Sequence, residues 1–311
     1  MRALVTGGLG FVGRHLVEHL ERCGDEVTTV DRHGDVAVEI TDAAAVSAAI
    51  AAAAPEAVYH LAGWADVGAS WSHPVEVLRV NAEGTLNVLQ ACRAAGVDRV
   101  LAVASADVYG LVSEADLPLT EDSPVRPTSP YAASKVAADA LALQAFLGYG
   151  LGVIRVRPFN HLGPGQSEGF VAPAVAARIA RAERDEHDSI VVGNLTARRD
   201  FTDVRDVVRA YRLLIEHGEP GGVYNVCSGT DTPVRDLAEL LVGLATRPIA
   251  LEPDPSLMRP VDLPVLRGDA SKLTAATGWQ PQLSLDQTLS DLLDDMRQRV
   301  AREVADDRST R

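Results

Sequence analysis

Hydrophobic positions follow two rhythms along the first half of the chain. Short, largely apolar runs (RALVTG, EVTTVD, AVYHLAG, RVLAVAS and GVIRVRPFN) alternate with longer segments of helical pattern. The longer segments span Phe11–Cys23, Asp42–Ala54, Val75–Ala95 and Pro130–Leu147. Near-continuous apolar strands belong in a sheet covered on both faces. Their alternation with helices argues for an α/β fold with a doubly wound parallel sheet. Beyond Asn160 the rhythm changes. A Gly-rich loop, HLGPGQSEGF, leads into helices expected over Val171–Arg184, Val204–Glu216 and Val234–Ala245. The runs IVVGN and GGVYNVCSG read as strands, and a Pro-rich stretch runs from Pro253 to Asp269 before a last helix. Residues 1–160 are therefore expected to build the main sheet, with 196–228 returning to it. Residues 161–195 and 229–300 are expected to form a smaller lobe over it, and 301–311 a polar, frayed tail.

Composition narrows the partners. The 311 residues carry 29 Lys and Arg against 43 Asp and Glu, a formal charge of −14. That balance disfavours nonspecific binding to nucleic acid or anionic membranes, while leaving room for an anionic small ligand held by a few local arginines. The three cysteines, Cys23, Cys92 and Cys227, lie far apart without a CxxC, so reduced thiols and no metal site are expected. The N-terminal MRALVTGGLGFVG has glycines through its apolar run and no cluster of positive charge, unlike a secretory signal. The Ala-rich Ala43–Ala54 is too short to span a bilayer. A soluble cytoplasmic protein is expected.

TGGLGFVG, Thr6 to Gly13, follows a strand and opens a helix, the setting a dinucleotide-binding loop requires. Gly7 permits the tight turn, Gly10 lets backbone amides approach a pyrophosphate, and Gly13 allows close helix packing. The helix start at Phe11 and Val12 then faces the anion. Asp31 ends the next strand, where a carboxylate bonds adenosine ribose hydroxyls and repels a 2′-phosphate. NAD is therefore expected over NADP, with Arg32 softening the preference. Asp42 fits two roles, a contact to adenine or a helix N-cap. Leu61, Ala62 and Gly63 end a third strand and are expected to line the cofactor.

Two further stretches carry chemistry. In VASADVYG, Ser105 and Asp107 flank Ala106 where a strand leaves the sheet, as in a turn or in half of an active site. In SPYAASK, Tyr131 and Lys135 stand at i, i+4 near a helix start and share one face. A nearby ammonium stabilises tyrosinate. Such a tyrosine can exchange a proton with a sugar hydroxyl or ketone while hydride moves to or from nicotinamide. A serine hydroxyl can hold the same oxygen.

Together TGGLGFVG, HLAG, SADVYG and YAASK resemble the extended short-chain dehydrogenase/reductase superfamily, a Rossmann fold. RPFNHLGPGQSEGFV, VGNLTARRDFTDVRD, YNVCSG and LMRPVDLPVLRGD resemble its branch of GDP-mannose 4,6-dehydratases and GDP-4-keto-6-deoxy-mannose reductases. The resemblance runs from residue 1 to about 295. It implies a nucleotide-activated sugar as substrate and a homodimer joined through the helices near Val75–Ala95 and Pro130–Leu147. It also implies Ser105, Tyr131 and Lys135 as the catalytic set, with Asn160 on the sugar nucleotide. Arg199 and Arg259 would grip the pyrophosphate, Asp262 would lie near the base or ribose, and Ser70 would reach the sugar. Arginine's planar fork suits phosphate, although Asp200 and Asp262 offer these arginines ordinary ion pairs instead. Asn81 matches an asparagine that supports the active-site backbone, or else caps a helix. Trp64 departs from the polar residue more common after the HLA motif.

Three reactions share this scaffold. Dehydratases of the family place Glu two residues before the Tyr of the xYG motif, with Asp or Ser before it; this chain has Asp107 and Ala106 there. The shorter base and the missing neighbour disfavour dehydration, since a displacement of about an ångström costs on the order of a hundredfold in rate. A 4-ketoreductase or a C4 epimerase needs only Ser105, Tyr131 and Lys135. Asp31, by favouring a recycled NAD, tilts the expectation to a nucleotide-hexose or -heptose 4-epimerase, with the 4-ketoreductase as the alternative. A non-catalytic NAD sensor is disfavoured by the intact Ser, Tyr and Lys.

Overall fold

The computed structural model describes residues 1–34, 37–254, 257 and 263–309, with side chains through residue 303. Arg259 and Asp262 lie outside the described residues. In chain order the elements are β1 (Arg2–Thr6), α1 (Phe11–Arg22), β2 (Glu26–Val30), α2 (Ala43–Ala53), β3 (Ala57–His60), α3 (Pro74–Leu78), α4 (Gly84–Ala95), β4 (Arg99–Val103), α5 (Pro130–Tyr149) and β5 (Val153–Pro158). There follow β6 (Asn160–Leu162), α6 (Val171–Asp185), β7 (Ser189–Val192), β8 (Arg198–Asp203), α7 (Val204–His217) and β9 (Val223–Val226). The chain ends with β10 (Asp231–Pro233), α8 (Val234–Gly243), β11 (Ala250–Pro253), β12 (Val265–Leu266), α9 (Ser271–Thr277) and α10 (Leu285–Ser309).

The main sheet has six parallel strands in the order β2-β1-β3-β4-β5-β9. It is the doubly wound sheet expected. One apolar layer, built on Leu16, Leu20, Val207, Tyr211 and Trp279, covers one face; a second, built on Val46, Ile50, Val88, Leu89 and Ala142, covers the other. The chain leaves β1 towards β2 and returns to the far side of β1 as β3. That reversal opens a crevice at the carboxyl ends of β1 and β3, where such sheets bind ligands.

Helix ends follow local chemistry. Ser129 caps α5 by accepting the Ala132 amide at 3.1 Å, Pro130 supplies the first turn, and Gly150 closes the helix at φ +72°. Asp42 accepts the amides of Ala44 and Ala45, both at 3.0 Å, so its observed role is the N-cap of α2.

The expected helix over Val75–Ala95 is interrupted. A π-helical turn at Arg79–Glu83 separates α3 from α4 and carries Asn81 inward, 2% exposed. Such bulges aim one side chain off the regular helical face. The IVVGN run pairs, as β7, with β11 at the edge of the Pro-rich stretch. The short strands β6, β10 and β12 and the helix α9 carry too few residues for a readable period. A further core binds α6, α8 and α10 through Ile179, Leu237, Leu241, Leu292 and Met296. The three cysteines are free, and no described helix is long and apolar enough to cross a membrane.

Asp200 ties this second part to the main sheet. Fully buried on β8, it accepts the Ser228 amide at 2.8 Å and the Ser228 hydroxyl at 2.6 Å. It also accepts the amides of Gly229 at 3.0 Å and Gly268 at 3.2 Å. Burial raises its pKa and these donors oppose the rise. It therefore serves two backbone segments, Ser228–Gly229 and Gly268, rather than the alternative of an ion pair with Arg199. Asp200→Ala leaves several buried donors without an acceptor and is expected to cost roughly 3 kcal/mol or more. Denaturant titration checks this; a loss under about 1 kcal/mol contradicts the assigned role.

Candidate active site

The turn from β1 into α1 is compact because its glycines leave no room for side chains. Gly7 sits at φ +74°, and a Cβ there would lie 2.8 Å from the Ala62 amide nitrogen. A Cβ at Gly13 would lie 2.1 Å from the Gly7 carbonyl oxygen. The loop thus packs backbone to backbone against the end of β3. Gly10 is the N-cap of α1 and supplies no side-chain cap, so the first-turn amides, from Phe11 to Gly13, present the positive end of the helix. Asp31 accepts the Leu9 amide at 3.1 Å, and Arg32 beside it is exposed. Glycine cradle, bare helix start and strand-end carboxylate together fit a nicotinamide dinucleotide.

A buried histidine braces the crevice. His60 Nδ1 lies 2.8 Å from Thr6 Oγ1 and its Nε2 lies 3.0 Å from Thr85 Oγ1. The Thr85 hydroxyl is committed as donor to the Asn81 carbonyl at 2.6 Å, so the network places the imidazole proton on Nε2. Burial, and secondarily Lys135, lowers the His60 pKa to about 3, keeping the ring neutral. Sequence reasoning passed over this residue; its one signal was a histidine at the end of an otherwise apolar strand.

The α5 face carries the expected pair. Tyr131 and Lys135 are each 8% exposed. Lys135 Nζ donates to the Val103 carbonyl at 3.1 Å, at the end of β4, and lies 5.9 Å from the Tyr131 ring centre. A Cβ on Gly63 would approach Lys135 Nζ to 3.4 Å and Asn81 Oδ1 to 2.8 Å, so the ends of β3 and α5 meet there. Asn81 accepts the Trp64 amide at 2.7 Å and donates to the Trp64 carbonyl at 3.2 Å and to Ser134 Oγ at 2.8 Å. It supports the backbone beside the site and caps no helix. Trp64 donates its indole N–H to the Asp66 carbonyl at 2.9 Å and tilts against His73.

Ser105 opens a 3-10 turn, Ala106–Tyr109, and its Oγ accepts the Asp107 amide at 3.2 Å. Burial drives the Tyr131 phenol's pKa up and the nearby Asp107 charge adds to it, while the Ser105 hydroxyl pulls it down. The expected lowering of this pKa by Lys135 is thus outweighed: desolvation and a like-signed neighbour disfavour phenolate more than the ammonium, itself desolvated, favours it. Burial lowers Lys135 to about 8.

The remaining expected residues scatter. Ser70 is fully buried and donates to the Val67 carbonyl at 2.6 Å, so its hydroxyl is turned into its own loop. Asn160 is exposed on β6, which pairs with β8, and Arg199 stands on β8 donating to the Arg198 carbonyl at 2.9 Å. The ring of Phe11 stacks on His161 at 6.2 Å, joining the cofactor loop to β6.

A parallel doubly wound sheet with a glycine cradle at its reversal point, and a Ser–Tyr–Lys set beside it, defines a nicotinamide-dependent dehydrogenase-type enzyme. Residues 3–227 match the model of the NAD dependent epimerase/dehydratase family. The chain is 39% identical to the GDP-6-deoxy-D-mannose reductase of Pseudomonas aeruginosa, over 97% of this chain and 99% of that one. It is similar to the structure of RMD from Pseudomonas aeruginosa complexed with NADPH, with TM-score 0.87 and 38% identity, covering 96% of this chain and all (100%) of that one. It is also similar to a Thermus thermophilus UDP-glucose 4-epimerase complexed with NAD, with TM-score 0.86 and 31% identity, covering 96% and 99%. The chain belongs to the NAD dependent epimerase/dehydratase family and is an enzyme of the extended short-chain dehydrogenase/reductase type.

The Lys135 pKa generates a pH prediction. Its ammonium is complete below about pH 8 and is lost as pH rises through that value. The enzyme's kcat/KM is expected to fall along that limb. Lys135→Arg keeps its charge and is expected to move the falling limb up by more than about one pH unit, at reduced rate. An unmoved limb assigns the titration to another group.

Proposed function

We propose that this chain is a nicotinamide-dependent 4-ketoreductase of a nucleotide-activated sugar, of the GDP-4-keto-6-deoxy-mannose type. The observation that carries the reading is the Tyr131 phenol, 8% exposed with Lys135 Nζ 5.9 Å from its ring, where burial first and Asp107 second favour the neutral form. A ketone needs a proton donor at the start of the reaction, and the neutral Tyr131 phenol suits that role. An alcohol oxidation needs phenolate first, which this environment opposes. A nicotinamide cofactor, NADH or NADPH, held at the Gly7–Gly13 loop would supply the hydride for the carbonyl carbon. Ser105 holds the carbonyl oxygen and Tyr131 gives it a proton. The Lys135 ammonium then stabilises the phenolate left behind. Arg199 and Arg259 hold the diphosphate, with Asn160 and Asp262 on the rest of the sugar nucleotide. The reductase relative, covered over nearly its full length, supports this choice over the epimerase favoured by sequence alone.

Asp31 favours a second reading, a C4 epimerase. Its carboxylate at the end of β2 opposes a 2′-phosphate and suits an NAD that is recycled within each turnover. Dehydration is disfavoured by Ala106, buried where a hydroxyl or acid would be needed. A homodimer through α3, α4 and α5 is part of the same proposal; Val75 and Leu147, each 71% exposed, support an apolar face there.

The reading is tested by offering the purified protein GDP-, ADP- and UDP-hexoses and their 4-keto-6-deoxy derivatives, with catalytic NAD or stoichiometric NADH or NADPH. Mass spectrometry then reads the products. A 4-keto sugar that gains two hydrogens, with matching loss of reduced cofactor, is the expected result. Unchanged mass with altered retention on catalytic NAD makes the protein an epimerase. Loss of water overturns both readings.

A further inference from the structure

The face of α5 that carries Tyr131 and Lys135 continues one turn further to Asp139, also 8% exposed. Its carboxylate meets two arginines projecting from the same side of β5. Arg155 Nη1 lies 3.2 Å from Oδ1 and Arg157 Nη2 lies 2.8 Å from Oδ2. Arg157 also donates to the Tyr109 hydroxyl at 3.2 Å and to the Glu121 carbonyl at 3.1 Å. The Tyr109 hydroxyl in turn donates to Asn225 Oδ1 at 2.7 Å, and both residues are fully buried. Tyr109 closes the short turn that Ser105 opens. An unbroken chain of charged and polar contacts therefore runs from the catalytic face of α5 through β5 to the turn bearing Ser105 and Asp107.

Burying a carboxylate between two guanidinium groups is a poor way to gain stability, because desolvation offsets most of the attraction. Its distinctive property is directional: fixed hydrogen bonds set a distance where apolar contacts would allow slip. We infer that Asp139, Arg157 and Tyr109 are positioning residues, which together fix the Ser105–Tyr109 turn against α5 and so set the separation of Ser105 and Asp107 from Tyr131. Arg157 is the fork: one guanidinium binds the helix, the turn and the Glu121 backbone at once. The inference rests on the catalytic roles proposed for Ser105 and Tyr131.

Tyr109→Phe removes one hydroxyl and leaves the ring packed. It is expected to lower kcat about tenfold, as a displacement of a fraction of an ångström does. The KM values for sugar nucleotide and cofactor are expected to stay within about twofold, because neither ligand is touched. Asp139→Asn is expected to act in the same direction, with partial rescue in Asp139→Glu. If Asp139→Asn fails to fold, Tyr109→Phe alone decides. A Tyr109→Phe enzyme with wild-type kcat, or with kcat and KM altered together, overturns the inference. Tyr131→Phe is measured alongside: activity retained there removes the catalytic reading itself, whereas an inactive Tyr131→Phe beside an unimpaired Tyr109→Phe removes only the positioning role.

Discussion

Lys135 carries an ammonium into the interior, 8% exposed, where it donates to the Val103 carbonyl at the end of β4. Desolvation of that charge has consequences in every direction. It draws α5 down onto the carboxyl edge of the sheet, since the charge needs that carbonyl. It contributes to keeping His60 neutral, so the imidazole can accept from Thr6 and donate to Thr85. It also places Tyr131, one turn earlier, above the point where Ser105 leaves β4. The glycines at positions 7, 13 and 63 complete the arrangement by letting backbone approach where any side chain would collide.

Within that frame burial sets the protonation of the Tyr131 phenol first and one carboxylate second. Asp107 lies close enough to Tyr131 for its charge to oppose phenolate formation. A residue that looked from its position like a shortened dehydratase base thereby acquires a different use, holding a proton on the phenol.

The strand–helix alternation and the glycine loop were legible because they are local, repeated and strongly patterned. Ser105, Tyr131 and Lys135 were legible because spacing and strand-end position mark them. What escaped was set by tertiary contact. The π turn at Arg79–Glu83 exists to turn Asn81 inward, and no periodicity announces it. Strands of two or three residues, such as β12, exist only by pairing with β8. Asp200 offered an arginine an ion pair in sequence and is an acceptor for two loops in space. The phenol's desolvation is not legible either, because spacing records the nearby ammonium but says nothing of burial.

Hydride delivery to a sugar ketone with Tyr131 as proton donor is most directly tested by isotope tracing. The protein is supplied with nicotinamide cofactor deuterated at the transferable position and with a 4-keto-6-deoxy nucleotide sugar, and the product is read by NMR. One deuterium at C4 in the wild-type product, and no product from Tyr131→Phe, is the result predicted. A product without deuterium at C4, or an undiminished yield from Tyr131→Phe, contradicts the account.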